Sequence, residues 1–281
     1  MLLNPCTIHT PRSIDELKSL YGSLENARLQ AGGTFLLNAL KLLKRNGAKT
    51  PQHIISLNKV GELKGIETTG EGLVIRCMST IDELFNAKLE DNFAVLKIVC
   101  KNISTQPIRN MASVGGNLTC RYTWTEMPAV MVGLNATLHF IDRNGTSQLP
   151  ALEFYKQNAK TDKILTHVAI PHDPHATIAY QRVKKTQFVD IPLLSLLINT
   201  HLKNKTFTDT VVSVNNCVDF AQRDAKLEAF LNGNKCETKI IVEALQNLSD
   251  DIYDRRAGDY KKHMFRVSLK KALREIVGKA T

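Results

Sequence analysis

Ala31-Gly32-Gly33-Thr34 and Ser113-Val114-Gly115-Gly116-Asn117 are two glycine-rich turns, each placed ahead of a segment with helical periodicity. Positions without side chains leave backbone N–H groups open to a close-approaching anion, typically a phosphate at a helix N-terminus. One such turn says little. Two of them are able to grip one diphosphate from two sides, which points to a dinucleotide.

Working outward from the first turn, Ala27 to Gln30 reads as a short strand running into it. Phe35, Leu36, Leu40 and Leu43 then mark a helix, closed by Lys44, Arg45 and Gly47. Upstream, Ser13-Ile14-Asp15-Glu16 fits a capping box and opens a helix with Ile14, Leu17, Leu20 and Tyr21 on one face. His53 to Leu57 reads as a second strand. These elements predict a compact α/β unit over about residues 1–56, with the glycine turn at a strand-to-helix junction.

A second unit, 57–171, surrounds the other turn. Gly72 to Met78 reads as a strand, Thr80-Ile81-Asp82-Glu83 as another capping box, and Phe93 to Val99 as a helix. Ala136 to Ile141 and Ser147 to Leu149 flank Asp142-Arg143-Asn144-Gly145, a hairpin signal. Leu165 to Ile170 forms a strand ending at Pro171, and the boundary between domains is placed in Pro171-His172-Asp173-Pro174. The remainder, 175–281, predicts three antiparallel strands, Ala176 to Lys184, Leu193 to His201 and Asp209 to Asn216. Helices follow at Asp224 to Leu231, Lys239 to Leu248 and along the basic C-terminal tail. The fold class expected is α+β.

Composition narrows the function. The 281 residues are 43% apolar and 23% charged, as in an ordinary globular protein. The N-terminus lacks the basic start and long apolar run of a secretion signal, and the apolar stretch from Ile191 to Ile198 is too short to span a bilayer. A cytoplasmic protein without membrane spans is expected. The net charge of +10 invites a nucleic-acid partner, but Asp254 to Thr281 alone holds nine Lys/Arg against three Asp/Glu. Phe265, Leu269, Ala272, Leu273 and Ile276 make that tail an amphipathic helix with a solvated basic face. No helix-turn-helix, zinc finger or aromatic-rich basic groove is legible, so nucleic acid is not expected. The six cysteines show no metal spacing and are read as buried or half-buried free thiols.

A self-contained active site is missing from the sequence. There is no nucleophile elbow, no His-Glu-x-x-His, no Walker lysine and no G-x-G-x-x-G. The eight histidines fall singly or in loops apart from His172 and His175, and the carboxylates are dispersed. No catalytic residue and no metal site is assigned. Chemistry in this chain has to come from a bound cofactor.

At this point a family resemblance enters. Leu29-Gln30-Ala31-Gly32-Gly33-Thr34-Phe35-Leu36 resembles the first flavin motif of the FAD-binding medium subunits of molybdenum hydroxylases, the group of xanthine dehydrogenase and aerobic carbon monoxide dehydrogenase. Ile108-Arg109-Asn110-Met111-Ala112-Ser113-Val114-Gly115-Gly116-Asn117 resembles the longer second motif. Ile164-Leu165-Thr166 through Ile170-Pro171, Ala179-Tyr180-Gln181-Arg182, and Arg223, Glu228, Leu231 and Gly233 continue the likeness in order along nearly the whole chain. Three places depart from the pattern. Phe35 stands where Asp or Ser is frequent, Glu126 where Asp is usual, and Arg121-Tyr122-Thr123-Trp124 replaces a proline.

The resemblance implies a two-subdomain FAD-binding domain (1–171) of the type named for p-cresol methylhydroxylase (PCMH), followed by a small C-terminal domain with a three-stranded antiparallel sheet and helices. It implies non-covalent FAD held at its pyrophosphate by amides of Gly32 to Thr34 and Gly115 to Asn117, with side-chain bonds from Thr34, Ser113 and Asn117. It places Glu126 on a sugar hydroxyl, Leu165 against the isoalloxazine and Ile103 beside the adenine. Arg182, or Lys185 near it, would stabilise negative charge on reduced flavin, and Tyr180 would shield the ring. Molybdopterin and [2Fe-2S] clusters are expected only in partner subunits, a large molybdopterin and a small iron–sulfur chain, assembled as a dimer of heterotrimers with NAD or a quinone as acceptor. Two alternatives stay open: a self-sufficient flavin oxidoreductase, and a cofactor-free basic scaffold or nucleic-acid binder derived from this fold.

Overall fold

The computed structural model describes residues 4–157, 161–186, 191–216, 220–249 and 258–280. Cys217 and the start of the basic tail, residues 254–257, lie outside them. The chain begins with β1 (Thr7–His9), a strand absent from the sequence reading because it is only three residues long. Then come α1 (Ile14–Ser23), β2 (Ala27–Gln30), α2 (Leu36–Arg45) and β3 (His53–Ser56). The three strands form a parallel sheet in the order β1-β3-β2, so α1 and α2 are its crossovers. Ser13 caps α1 by accepting from the Glu16 amide, but Glu16 returns its bond to the Arg12 amide, so the expected box closes one residue early.

A five-stranded antiparallel sheet follows, in the order β4-β5-β8-β6-β7. Its strands are β4 (Ile66–Thr68), β5 (Gly72–Arg76), β6 (Thr137–Asp142), β7 (Gly145–Pro150) and β8 (Ile164–Pro171). The β6–β7 hairpin pairs Asp142 with Gly145, leaving Arg143-Asn144 as a two-residue turn. Between β5 and β6 run α3 (Ile81–Asn86), α4 (Ala94–Asn102), α5 (Gln106–Arg109), α6 (Val114–Thr119) and α7 (Met127–Gly133). The capping box on α3 is complete: Thr80 accepts from the Glu83 amide and Glu83 accepts from the Thr80 amide. After β7 comes α8 (Ala151–Lys156).

The three strands expected in the C-terminal part are present as β9 (Thr177–Val183), β10 (Leu194–Lys203) and β11 (Thr206–Asn215). A fourth, β12 (Gln222–Arg223), adds to the edge, giving the order β12-β11-β10-β9. At two residues it is too short to leave a period in the sequence. One face of this sheet packs Leu196, Ile198, Val212 and Val214 against α9 (Ala225–Leu231), α10 (Ile240–Glu243) and α11 (Asp259–Ala280). The stripe Phe265, Leu269, Ala272, Leu273 and Ile276 is the buried side of α11.

Helix α7 connects this sheet to the rest of the core. All seven of its residues are buried, which suits a helix covered on every side. At Gly133 a Cβ would stand 2.5 Å from Leu197 Cδ2 and 2.6 Å from Ser213 Oγ, so only glycine lets α7 lie this close to β10 and β11. Asn199 on β10 adds a bond to the Gly133 carbonyl at 3.0 Å. No helix among the described residues is long and apolar enough to cross a membrane.

Candidate functional site

The two glycine segments meet in space. Gly32 packs so closely on the backbone at Met111 and Ala112 that a Cβ at residue 32 would collide with the Met111 carbonyl. Gly115 faces Cys77 in the same way, where a Cβ would stand 2.6 Å from the Cys77 Cβ. Both glycines are therefore required for close approach of two backbones. Gly33 has φ +72°, so it needs glycine for its own conformation.

The two segments offer different amounts to a ligand. The sequence reading treats both as open turns, but the second is the first turn of α6. There Gly115 donates to the Cys77 carbonyl at 2.8 Å, Gly116 to Ser113 Oγ at 3.2 Å and Asn117 to the Ser113 carbonyl at 3.0 Å. Its amides are spent on the fold. Among the described residues the N–H groups of Gly32, Gly33 and Thr34 have no such acceptor, and they lead into the N-terminus of the ten-residue α2. That loop keeps the anion-binding capacity.

Side chains supply what the second segment's backbone cannot. Asn117 Oδ1 is a buried acceptor without a hydrogen-bond partner, and the Nδ2 of the same amide is the group able to donate. The Ser113 hydroxyl accepts from Gly116 and keeps its own proton to donate. Thr34, Ser113 and Asn117 all line one cleft of about 950 Å³, together with Gly32, Gly33, Gly115 and Gly116. Leu29, Ala31, Phe35, Leu36, Ile103, Glu126 and Leu165 line it as well. The volume and the mix of apolar wall with a few polar groups suit a large cofactor.

Four residues expected at the site are not among those lining the cleft. Val114 is fully buried in the core, and Gln30 sits behind Gly33. Tyr180 and Arg182 stand beside the cleft, and both bond Glu126. The Tyr180 hydroxyl donates to Glu126 Oε1 at 2.5 Å, and Arg182 Nε donates to the same oxygen at 2.9 Å. Burial, and then the Glu126 charge, push the Tyr180 phenol well above its ordinary value. Arg182 is thus engaged by Glu126. Glu126 itself, held by strand β9 through these two bonds, lines the cleft.

Other lining residues went unread as site residues in the sequence. Arg28 and Lys163 bring positive charge, Cys77 and Cys120 bring thiols, and Tyr122 and Trp124 bring rings. Burial pushes the Cys77 thiol up to about 12, which keeps it protonated and unreactive. Tyr122 and Trp124 had a signal, since they fall in one of the departures from the pattern. Phe35, another departure, is their neighbour in space: its ring centroid is 4.4 Å from that of Tyr122.

Comparison with known proteins bears on this cleft. Residues 4–173 match the family described as FAD binding domain in molybdopterin dehydrogenase. The glyceraldehyde dehydrogenase medium chain of Sulfolobus acidocaldarius is 25% identical over 272 residues, covering 93% of this chain and 94% of that one. The carbon monoxide dehydrogenase medium chain of Hydrogenophaga pseudoflava is 26% identical over 277 residues, covering 94% of each. Among solved structures, a chain of the carbon monoxide dehydrogenase of H. pseudoflava superposes with a TM-score of 0.87 at 23% identity, covering 99% of both chains. A chain of quinoline 2-oxidoreductase from Pseudomonas putida 86 gives 0.85 at 20% identity, covering 100% of this chain and 99% of that one. These two show the same fold.

Proposed function

The chain belongs to the family of FAD-binding domains in molybdopterin dehydrogenases, and from that premise we propose that it is the FAD-carrying electron-transfer subunit of a multi-subunit molybdenum-containing dehydrogenase. In this reading residues 1–171 hold the cofactor and 175–281 form the C-terminal domain. A small partner carrying [2Fe-2S] clusters delivers electrons, a large molybdopterin subunit oxidises the substrate, and NAD or a quinone takes the electrons away. The complex is a dimer of such heterotrimers, in the cytoplasm. Bound FAD supplies the capacity to accept electrons singly and release them in pairs.

The residues of this chain bind and orient. Gly32, Gly33 and Thr34 donate their free N–H groups to the pyrophosphate, reinforced by the N-terminus of α2. The Ser113 hydroxyl and the Asn117 side chain donate from the opposite wall. Glu126, fixed by Arg182 and Tyr180, accepts from a ribityl or ribose hydroxyl. Leu165 and Ile164 give the flavin ring an apolar seat, and Ile103 does so for the adenine end. Attachment is taken as non-covalent: among the described residues lining the cleft there is no histidine, and burial holds the Cys77 thiol protonated. The chain contributes position and electrostatics, and leaves substrate oxidation to its partner.

One observation carries the reading: the residues whose N–H groups are unspent, Gly32, Gly33 and Thr34, line the same cleft as the Ser113 hydroxyl and the buried, unpartnered Asn117 Oδ1. Purified protein is expected to show flavin absorption, or to gain it on incubation with FAD and keep it through gel filtration. Affinity purification from the source cells is expected to bring down an iron–sulfur chain and a molybdopterin chain. Colourless protein that cannot be reconstituted would sink the proposal, and turnover of a substrate without partners would favour a self-sufficient oxidoreductase.

A further inference from the structure

Phe35, Tyr122 and Trp124 form a row along one wall of the cleft. The Phe35 and Tyr122 rings are 4.4 Å apart at 58°, and the Tyr122 and Trp124 rings 4.5 Å apart at 21°. Phe35 occupies the N-cap of α2 without making a capping bond and stays 40% exposed. A Ser, Asp or Asn there would have stabilised the helix, so the ring comes at a local cost to α2.

The loop bearing the other two rings is held rigidly. Arg121 sits at φ +53°, donates to the Phe154 and Gln157 carbonyls, and stacks 4.4 Å from the centre of Phe220. Thr125 donates from its amide at 3.1 Å and its hydroxyl at 2.7 Å to the Tyr122 carbonyl. Asn215 on β11 donates to the Thr125 carbonyl at 2.7 Å. The loop is therefore ordered before any ligand arrives, and a stacking ligand loses little backbone entropy in using its rings.

We propose that Phe35, Tyr122 and Trp124 are an aromatic stack built into this wall, which a planar heteroaromatic ring of the bound dinucleotide continues on the outer face of Trp124, with Trp124 setting affinity. This rests on the FAD reading above. An aromatic face offers a ring attraction beyond apolar burial, and it tolerates either end of the dinucleotide, flavin or adenine.

Trp124 is the single tryptophan of the chain, so tryptophan emission reports on this wall alone. Full-length protein freed of flavin is titrated with FAD, FMN and ADP while flavin retention is followed by absorbance. FAD is expected to quench Trp124 emission. Trp124→Leu is expected to weaken FAD binding about tenfold, the effect of one lost aromatic pair, and Trp124→Phe to recover most of it. A response to FMN alone assigns the flavin ring to the wall, and a response to ADP alone assigns the adenine. Retained FAD with unmoved Trp124 emission in the natural chain overturns the wall, without needing any variant. Equal FAD affinity in a folded Trp124→Leu does so too. If the natural chain retains no FAD at all, absorbance shows that the FAD reading has failed and the wall with it.

Discussion

Arg182 donates from Nε to Glu126 Oε1 across 2.9 Å, with side-chain exposures of 6% and 4%. The pair joins strand β9 of the C-terminal sheet to the N-cap of α7, where Glu126 borders the cleft. Two charges so deeply buried are each costly without the other. Arg182→Met is therefore expected to destabilise the protein by about 3 kcal/mol or more in chemical denaturation. It should also weaken flavin retention, since Glu126 loses its orientation. The double variant with Glu126→Gln should be more stable than Arg182→Met alone, because no uncompensated carboxylate remains.

The glycines separate into steps of severity. Gly32→Ala and Gly115→Ala drive a methyl into backbone at Met111 and Cys77 and should cost several kcal/mol in stability, with loss of flavin binding. Gly116→Ala meets only Ser113 Oγ at 3.0 Å and Ala31 Cβ at 3.7 Å, so its effect on the melting temperature should be much smaller. Thermal melts with flavin absorbance on the same samples rank the three. Equal effects at all three positions would contradict the geometry.

Two histidines give the stability opposite slopes with pH. His167 stacks on His139 with centroids 4.2 Å apart, and burial, then His139, then Arg76 lower it from 6.5 to about 4. The unfolded chain takes up this proton first, so stability falls as pH drops from about 6.5 toward 4 and levels off below. His201 hydrogen-bonds Asp173 at 2.7 Å and Asp209 at 3.3 Å, which raises it above 6.5. Its contribution is full below 6.5 and is lost as pH rises through the raised value. His167→Gln should flatten the acid side of a melting-temperature profile, and His201→Gln the side above 6.5.

Thiol reactivity should follow burial. Cys6 is exposed, whereas burial raises Cys77 and Cys100 to about 12. Mass-spectrometric mapping after brief iodoacetamide treatment at pH 8 is expected to find Cys6 labelled and Cys77 and Cys100 protected. Exposed Cys6 also corrects the reading of every thiol as at least half-buried.

What the amino-acid sequence determined by itself is whatever a few neighbouring residues decide. The Thr80–Glu83 capping box, the end of α2 at Lys44-Arg45, the β6–β7 turn and the positive φ of Gly33 all arise from interactions within about one turn of chain. The glycine segments are legible as turns for the same reason. Tertiary structure alone decided how the cleft is shared out. It spent the amides of Gly115 to Asn117 on Cys77 and Ser113, brought Gly32 against Met111, turned Arg182 and Tyr180 onto Glu126, and set Phe35 beside Tyr122. Each of these joins groups whose contact depends on how strands and helices pack, and no local period or propensity encodes such a distance.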